Sequence, residues 1–188
     1  LFFKLSEFRD KLLDWLSEGK EHWRPSVLNF TRNWLKEGLI DRAVTRDLEW
    51  GIDIPRKGYE KKRMYVWFEA VMGYYSASLH WAKNQGKPEL WKDWWENDEA
   101  EHYYFMAKDN IPFHTIIWPA MLSGCNLHLP YDVPANEYLL LDSTQFSKSR
   151  RHAVWIPDYL DRYDPESLRY YLASIMPEQK DANFTWED

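Results

Sequence analysis

Cysteine is nearly absent from this sequence. Cys125 is the only cysteine in 188 residues, which excludes a disulfide framework within the chain and any zinc site built from several cysteines. The six histidines show no HExxH spacing, the pattern that places two imidazoles on one helix face in zinc enzymes. The sequence therefore predicts no zinc ligands and no metal site.

Glycine is also scarce, and its spacing excludes two phosphate-binding motifs. The seven glycines fit neither GxGxxG nor GxxxxGK followed by Ser or Thr, so a dinucleotide fingerprint and a P-loop are both missing. If the chain binds phosphate, lysine and hydroxyl groups must supply more of the contacts than a glycine-rich backbone does.

Long apolar runs and an excess of basic charge are two further absences. No stretch of about 18 apolar residues exists, and the N-terminus lacks the basic, apolar and small-residue order of a signal peptide. We therefore expect a cytoplasmic protein with no membrane partner. A formal net charge of -6 argues against a general, non-specific nucleic-acid binder, because such proteins normally carry a basic excess.

Aromatic rings, by contrast, are abundant. Phe, Trp and Tyr make up 18% of the residues, with 12 Trp and 12 Tyr, in a chain that is 45% hydrophobic. This share is well above ordinary usage and indicates very large core side chains, a pocket walled by rings, or both.

Periodicity and turn residues predict helices that alternate with strands. Helices are expected from Ser6, as N-cap, to Gly19, from Pro25 to Gly38, over 71–83, over 91–95, in a segment that ends near Gly124, and after Asp164 and Pro165. Strands are expected around Ala43–Thr45 and in MYVWFEA (64–70), HYYFMAKD (102–109) and EYLLL (137–141). Such alternation produces parallel βαβ units, so the fold class is α/β, a Rossmann-like parallel sheet flanked by helices.

Polar or unusual residues follow three of the expected strands. In an open α/β sheet, ligands bind at the carboxyl ends of the strands. Here those ends are Trp67–Ala70, Ala107–Asn110 and the FSKSR loop, residues 146–150. Lys148, flanked by two serines, offers ammonium and hydroxyl donors to phosphate oxygens.

Each of these places also has an ordinary structural interpretation. The FSKSR loop is compatible with a solvated surface turn, and Asp109 with a helix N-cap. His114 and Trp118 lie one helical turn apart, with Phe113 beside them, and rings at this spacing are usually core.

Several long stretches, however, occur in an order that is typical of one enzyme family. They are RAVTRDLEWGIDIP, YVWFEAVMGYYSAS, YYFMAKDNIPFHTIIWPAML, ANEYLLL, FSKSR, AVWIPDYLDRYDPESLRYYLAS and FTWED. Together, and over almost the whole chain, they resemble the methionyl-tRNA synthetases, a family of class I aminoacyl-tRNA synthetases.

This resemblance implies that methionine is activated with ATP to methionyl-adenylate and then transferred to tRNA(Met), with Mg²⁺ accompanying the ATP. The catalytic residue would be Lys148, which matches the last lysine of the family's KMSKS signature. It would stabilise charge that develops on the triphosphate as the carboxylate attacks, with little covalent work for the protein. The ATP-binding residues implied are Ala107, Asp109, Phe146, Ser147, Lys148 and Ser149.

The resemblance also implies a methionine pocket and one contact to the polar end of the substrate. The pocket residues are Trp67, Ala70, Val71, Tyr74, Phe113, His114 and Trp118, and the polar contact is Arg46. A thioether has little hydrogen-bonding capacity, so selection must rest on shape, on ring contacts to sulfur and on one donor from Tyr74 or His114. Close analogues of methionine should therefore be accepted to some degree.

Three positions depart from the family pattern. Gln145 stands where the signature begins with lysine, which removes one phosphate-facing charge. Ala107 and Arg151 stand where glycine is common, so a methyl group would crowd the nucleotide and the loop would be less flexible.

No HIGH signature and no cysteine knuckles occur in the sequence. We therefore expect the carboxyl-side part of the catalytic domain, inactive as an isolated fragment and in need of the amino-terminal half. Residues 1–40 would be the helical tail of the inserted domain, 41–163 the second half of the nucleotide-binding domain, and 164–188 the start of the stem-contact region. Two alternatives stay open at this point: a non-catalytic tRNA- or protein-binding remnant, and another class I enzyme, such as the leucine or cysteine synthetase.

Overall fold

The computed structural model describes residues 1–187 as two compact units of mixed helix and strand. The first unit comprises Leu1–Tyr104 and Asp109–Pro134, and the second comprises Phe105–Lys108 and the chain from Ala135 onward. Asp188, the last residue of the FTWED stretch, lies outside the described residues. The boundaries expected at residues 41 and 164 stay predictions.

Two helices open the first unit, as the sequence predicts. A short 3-10 turn, Leu5–Phe8, leads into α1, Arg9–Trp15, and α2 follows at Pro25–Glu37. Pro25 occupies the first turn of α2, and Gly38 ends it with a φ of 102°, a conformation that favours glycine. The expected N-cap role of Ser6 is wrong, because its hydroxyl instead donates to the Asp41 carboxylate at 2.6 Å.

The core of the first unit is built where α1 and α2 pack. Leu5, Leu12, Leu16, Val27 and Leu35 are all almost fully buried. Their apolar surface, removed from water, is the main source of stability at this end of the molecule.

Four short strands pair antiparallel in the first unit. β1, Phe2–Phe3, pairs with β2, Arg42–Ala43, while β3, Thr45–Arg46, pairs with β4, Arg63–Met64. The strand expected around residues 43–45 is thus confirmed.

The strand expected over residues 64–70 is wrong beyond Met64, because the chain turns into a helix. After β4 come α3, Val66–Glu69, a 3-10 turn, Ala70–Met72, and α4, Gly73–Asn84. Tyr65 N–H still donates to Val44 O, but Tyr65 O already accepts from Phe68 N–H and Glu69 N–H, so the chain closes into a helical turn at this residue. Trp67 therefore lies on a helix and not at the end of a strand.

The other predicted helices of this unit form at the expected places. α5 spans Lys92–Trp95. The next helix contains a π-helical segment, Phe113–Ile117, and continues as α6, Trp118–Gly124. Trp118 N–H donates to Phe113 O, five residues back, which defines the wider π turn. The sequence predicted this helix but not its π geometry.

The second unit contains the parallel strand pairs. β5, Met106–Ala107, runs parallel to β6, Ala135–Asn136. β7, Leu139–Leu141, runs parallel to β9, Ala182–Phe184, and antiparallel to β8, Thr144–Gln145. These parallel pairs confirm the α/β class, although each strand is shorter than the apolar pattern indicated.

Two helices complete the second unit. α7 spans Ile156–Leu160 and α8 spans Pro165–Ser174. The Asp164 carboxylate accepts from Glu166 N–H at 2.7 Å, which confirms the predicted N-cap. Across residues 1–187, no helix combines the length and apolar character needed to cross a membrane.

Candidate functional site

Four of the expected methionine-pocket residues lie on one run of helix in the first unit. Trp67, Ala70, Val71 and Tyr74 are spaced three or four apart along residues 66–84, so they share a side of this helix. Trp67, Ala70 and Tyr74 are exposed, whereas Val71 is buried. The ring surfaces of Trp67 and Tyr74 are therefore accessible to a ligand, and the buried aliphatic side chain of Val71 lies on the same side of the helix.

The other three expected residues face this helix from the π-helix and α6. The ring centroids of Trp67 and Phe113 are 6.1 Å apart. The Tyr74 ring lies 5.6 Å from that of His114 and 6.4 Å from that of Trp118. The structure thus brings Trp67, Tyr74, Phe113, His114 and Trp118 together; we call these five rings the aromatic face.

Hydrogen bonds fix the imidazole of His114 within this face. His114 Nδ1 lies 3.0 Å from Asn110 O, and because a carbonyl only accepts, Nδ1 carries the hydrogen. His114 Nε2 lies 2.9 Å from the Tyr74 hydroxyl. Burial lowers the pKa of His114, so the neutral ring accepts from Tyr74. The Tyr74 hydroxyl hydrogen and the His114 Nδ1 hydrogen are therefore both used in hydrogen bonds within the protein.

Tyr104 supports the aromatic face and was missed by the sequence analysis. Its hydroxyl accepts from Trp118 Nε1 at 2.9 Å, and its ring centroid lies 5.2 Å from that of Tyr74. Burial raises the pKa of Tyr104 to about 12, so the phenol stays protonated. Burial alternates along residues 102–106, but the residues themselves, HYYFM, show no matching alternation of polar and apolar types, so no sequence signal singles out Tyr104.

Arg46, the expected contact to the substrate's polar end, opens onto the same cavity as Trp67. This cavity has a volume of about 830 Å³ and is bordered by Arg46, Tyr65, Trp67 and Glu69 among others. The Arg46 guanidinium lies 4.0 Å from the centroid of the Tyr65 ring, a cation–π geometry that orients it. A cation thus stands at one border of a largely apolar cavity.

The FSKSR loop lies in the second unit and is closed by its own backbone. Ser147 and His152 exchange two backbone hydrogen bonds of 2.8 and 3.0 Å. The hydroxyl oxygens of Ser147 and Ser149 are 3.3 Å apart. Lys148 is exposed, and no carboxylate among residues 1–187 lies within ion-pair distance of its ammonium. The loop therefore offers the Lys148 ammonium, the Arg150 guanidinium and two hydroxyls to an anion.

The sequence analysis expected this loop to follow the buried strand directly, but it does not. A tight turn at Asp142 and Ser143, both with positive φ, reverses the chain after β7, and β8 then leads into the loop. Gln145, which replaces the first lysine of the family signature, is the last residue of β8 and pairs with Leu140. Arg151 has a φ of 55°, the left-handed region that favours glycine.

The two remaining expected ATP-site residues fall in different units. Ala107 ends β5 in the second unit, where it pairs with Asn136. Asp109 lies in the first unit, is exposed, and accepts from Asn110 Nδ2 at 3.2 Å. The π-helix that follows has no side-chain cap, so the alternative interpretation of Asp109 as its N-cap is wrong.

The combination of an α/β fold, an aromatic face and an exposed Ser-Lys-Ser loop is that of a class I aminoacyl-tRNA synthetase. Residues 1–188 match the family model described as tRNA synthetases class I (M), and the chain belongs to this family. The resemblance found in the sequence is thereby confirmed, and the leucine and cysteine enzymes are no longer competing interpretations.

Two similar proteins are both named methionine–tRNA ligase. Methionine–tRNA ligase of Dehalococcoides mccartyi (strain CBDB1) is 57% identical over 188 residues, which cover 100% of this chain and 34% of that protein. The enzyme of Thermomicrobium roseum is also 57% identical, over 99% of this chain and 32% of its own length. This chain thus spans about a third of the length of these relatives.

A solved structure shows the same fold. Mycobacterium tuberculosis methionyl-tRNA synthetase in complex with methionyl-adenylate superposes with a TM-score of 0.78 at 25% identity, over 99% of this chain and 35% of that one.

Proposed function

We propose that this chain forms the methionine-recognising face and the phosphate-stabilising loop of a methionine–tRNA ligase. The reaction is activation of methionine with ATP to methionyl-adenylate, followed by transfer to tRNA(Met). One observation carries the proposal: five rings from two separate helical segments lie together, and all five belong to residues that the family pattern assigns to methionine binding. The methionyl-adenylate named in the M. tuberculosis complex agrees with it.

Methionine is recognised at the aromatic face mainly by shape and by contact of sulfur with ring edges. Because the hydrogens of Tyr74 and His114 are already used within the protein, the face presents little to a strongly polar side chain. Val71 and Ala70 floor the site, and Arg46 approaches the substrate carboxylate. Discrimination by such a face is limited to about 1–3 kcal/mol per methylene.

ATP is bound by Ala107, Asp109 and the loop residues Phe146, Ser147, Lys148 and Ser149. Lys148 is the catalytic residue: its unpaired ammonium stabilises negative charge that develops on the phosphates as the methionine carboxylate attacks. Mg²⁺ enters as the companion of ATP and is not assigned ligands in this chain.

The domain assignment belongs to the same proposal. Residues 1–40 are the tail of an inserted region, 41–163 the second half of the catalytic domain, and 164–188 the start of the stem-contact region. The catalytic site then needs the amino-terminal half of the domain, so the 188 residues alone do not catalyse methionine-dependent exchange between ATP and pyrophosphate.

Methionine binding can be tested by titration of the chain with methionine while tryptophan fluorescence is followed. We expect a saturable change that Trp67→Ala abolishes. Trp81→Ala is the control, because Trp81 is exposed on α4, about two turns beyond Tyr74. A signal that responds to tRNA but never to methionine would reject the proposal in favour of a non-catalytic tRNA-binding remnant.

The role of Lys148 is tested in the complete synthetase that contains this chain. Lys148→Ala should lower kcat for adenylate formation about 100-fold, the size expected for one lost electrostatic contact to a transition state, with KM for methionine unchanged. Lys57→Ala, which removes a lysine from another exposed loop, is the matched control. Equal losses in both variants would remove Lys148 from catalysis.

A further inference from the structure

Lys108 lies between two expected ATP-site residues and has no role in the proposal above. Its ammonium nitrogen is 2.6 Å from Glu137 Oε2 and 2.8 Å from Asp181 Oδ1. The same nitrogen lies 4.5 Å from the centroid of the Tyr138 ring. Glu137 and Asp181 are 29 and 73 residues away from Lys108 in the sequence, so only the fold brings the three side chains together.

The three charged residues stand at the junction of the two small sheets of the second unit. Lys108 directly follows β5, Glu137 lies in the two-residue link between β6 and β7, and Asp181 directly precedes β9. Asp181 Oδ1 also accepts from Tyr138 N–H at 2.8 Å. We call Lys108, Glu137 and Asp181 the lysine clamp.

The clamp is held together by charge. Two carboxylates bind one nitrogen, so they lie close to each other and would repel without the lysine. The hydrogen bonds that Lys108 donates to both carboxylates raise its pKa, and the bond that Asp181 accepts from Lys108 lowers the pKa of Asp181. All three side chains are partly shielded, with exposed fractions of 33%, 23% and 39%, so water screens their attraction incompletely.

Backbone pairing at this junction is sparse. β5 and β6 share two residue pairs, and β7 and β9 share three. Strands this short are not stable by themselves. The clamp therefore supplies a side-chain tie between two short ladders, from the strand that ends at Ala107 to the strand whose hairpin leads to the FSKSR loop.

We propose that Lys108 is a positioning residue for the ATP site: it holds the end of β5 and the start of β7 in a fixed relation, and with them Ala107 and the FSKSR loop. This inference rests on the proposed function, because it assumes that these two segments contact ATP. Lys108 itself touches carboxylates of the protein, so its effect on the reaction passes through the strands that it ties.

The test uses the complete synthetase that contains this chain and measures ATP–pyrophosphate exchange. Lys108→Met should lower kcat/KM for ATP about 10- to 100-fold, the loss expected when reacting groups are misplaced by up to an ångström. KM for methionine should stay within about twofold, because the aromatic face does not depend on the clamp. Lys108→Arg should recover most of the activity, since it keeps the charge and the reach.

Two further variants sharpen the test. Lys92→Met removes an exposed lysine that pairs with Glu89 at 2.7 Å and should leave exchange activity unchanged. Asp181→Asn in the Lys108→Met background should recover part of the lost activity, because it relieves repulsion between the two carboxylates; no recovery would contradict a clamp held together by charge.

Amide hydrogen exchange on the same synthetase separates failure of the clamp from failure of the function. Lys108→Met should speed exchange at Tyr138 and Ala182, whose N–H groups bond across the junction. Unchanged hydrogen exchange at these two amides overturns the positioning role. Unchanged kcat/KM for ATP, despite faster hydrogen exchange, overturns it as well. Absence of methionine-dependent activity in the unmodified synthetase overturns the proposed function, while the hydrogen-exchange result still decides on the clamp.

Discussion

The Tyr74 hydroxyl and His114 Nε2 lie 2.9 Å apart, and the hydrogen between them belongs to Tyr74. The direction follows from the other side of the ring, where Nδ1 donates to Asn110 O, and from burial, which lowers the pKa of His114. A chain of donors thus runs from tyrosine to histidine to backbone, and it sets the orientation of two of the five rings of the aromatic face.

Removal of the Tyr74 hydroxyl should loosen this arrangement. Tyr74→Phe leaves His114 Nε2 without its donor, so we expect the free energy of unfolding to fall by about 0.5–1.5 kcal/mol, the net value of one neutral hydrogen bond. Urea denaturation measures the change. Tyr75→Phe is the control, because the Tyr75 ring packs against Trp91 and Trp95. A loss of the same size in the control would mean that removal of a tyrosine hydroxyl in general, and not loss of the bond to His114, is responsible.

Stability should fall in mild acid because His114 is buried as a neutral ring. Its folded pKa lies below the ordinary 6.5, and that of His102 is lowered by burial as well. The unfolded chain therefore binds protons at a higher pH than the folded chain does. The stabilising contribution is complete above pH 6.5 and is lost as pH falls through the folded pKa, with a slope of up to about 1.4 kcal/mol per pH unit for each histidine.

Urea denaturation across a pH series measures this slope. His114→Gln should flatten it, and replacement of the exposed His80 by Gln serves as the control. A wild-type protein that is equally stable across the series would contradict the neutral, buried state of His114.

Thr31 and Thr115 form a buried hydroxyl pair between α2 and the π-helix. Their Oγ1 atoms are 2.9 Å apart, and Thr115 Oγ1 donates to Ile111 O at 2.9 Å. Thr31→Val or Thr115→Val removes the bond between the two hydroxyls, while the remaining hydroxyl keeps its bond to Ile111 O or Val27 O, so each change should cost about 0.5–1.5 kcal/mol. The double change to valine should cost clearly less than the two single changes together, since the bond between the hydroxyls is lost only once. Strict additivity in chemical denaturation would show that the two hydroxyls do not interact.

Arg151→Gly should stabilise the FSKSR loop. Arg151 has a φ of 55°, where a side chain costs about 1–2 kcal/mol and glycine has no steric penalty. Part of this gain is cancelled by the freedom of glycine in the unfolded chain, so we expect a rise in unfolding free energy of up to about 1 kcal/mol. Arg150→Gly is the matched control and should lower stability, because Arg150 is not among the positive-φ residues. Thermal denaturation of both variants distinguishes the two positions.

Several helix ends were predicted correctly because local chemistry determines them, although Ser6 and Gly19 do not bound α1, which spans Arg9–Trp15. Pro25 and Gly38 bound α2 as expected, and Asp164 caps α8. Strand extent was predicted poorly. Residues 66–69 read as a strand because they are aromatic and β-branched, yet pairing partners, which the local sequence does not reveal, decide whether a ladder continues.

The site was predicted where family motifs are contiguous and missed where the fold joins distant residues. All five rings of the aromatic face came from short motifs. Tyr104 was passed over beside Tyr103, and Lys108 was passed over because its partners lie far along the chain. Charge pairing over such separations has no local signature, so only the folded structure identifies the lysine clamp.

The π turn that begins at Phe113 makes the aromatic face depend on the number of residues as well as on their identity. In this turn the chain holds one residue more than a regular α-helix would between Phe113 and its bonding partner, Trp118. Deletion of a single residue here would restore regular winding and rotate Phe113 and His114 by about 100° relative to Trp118. Every ring could then be retained, and the surface that they form together would still be lost.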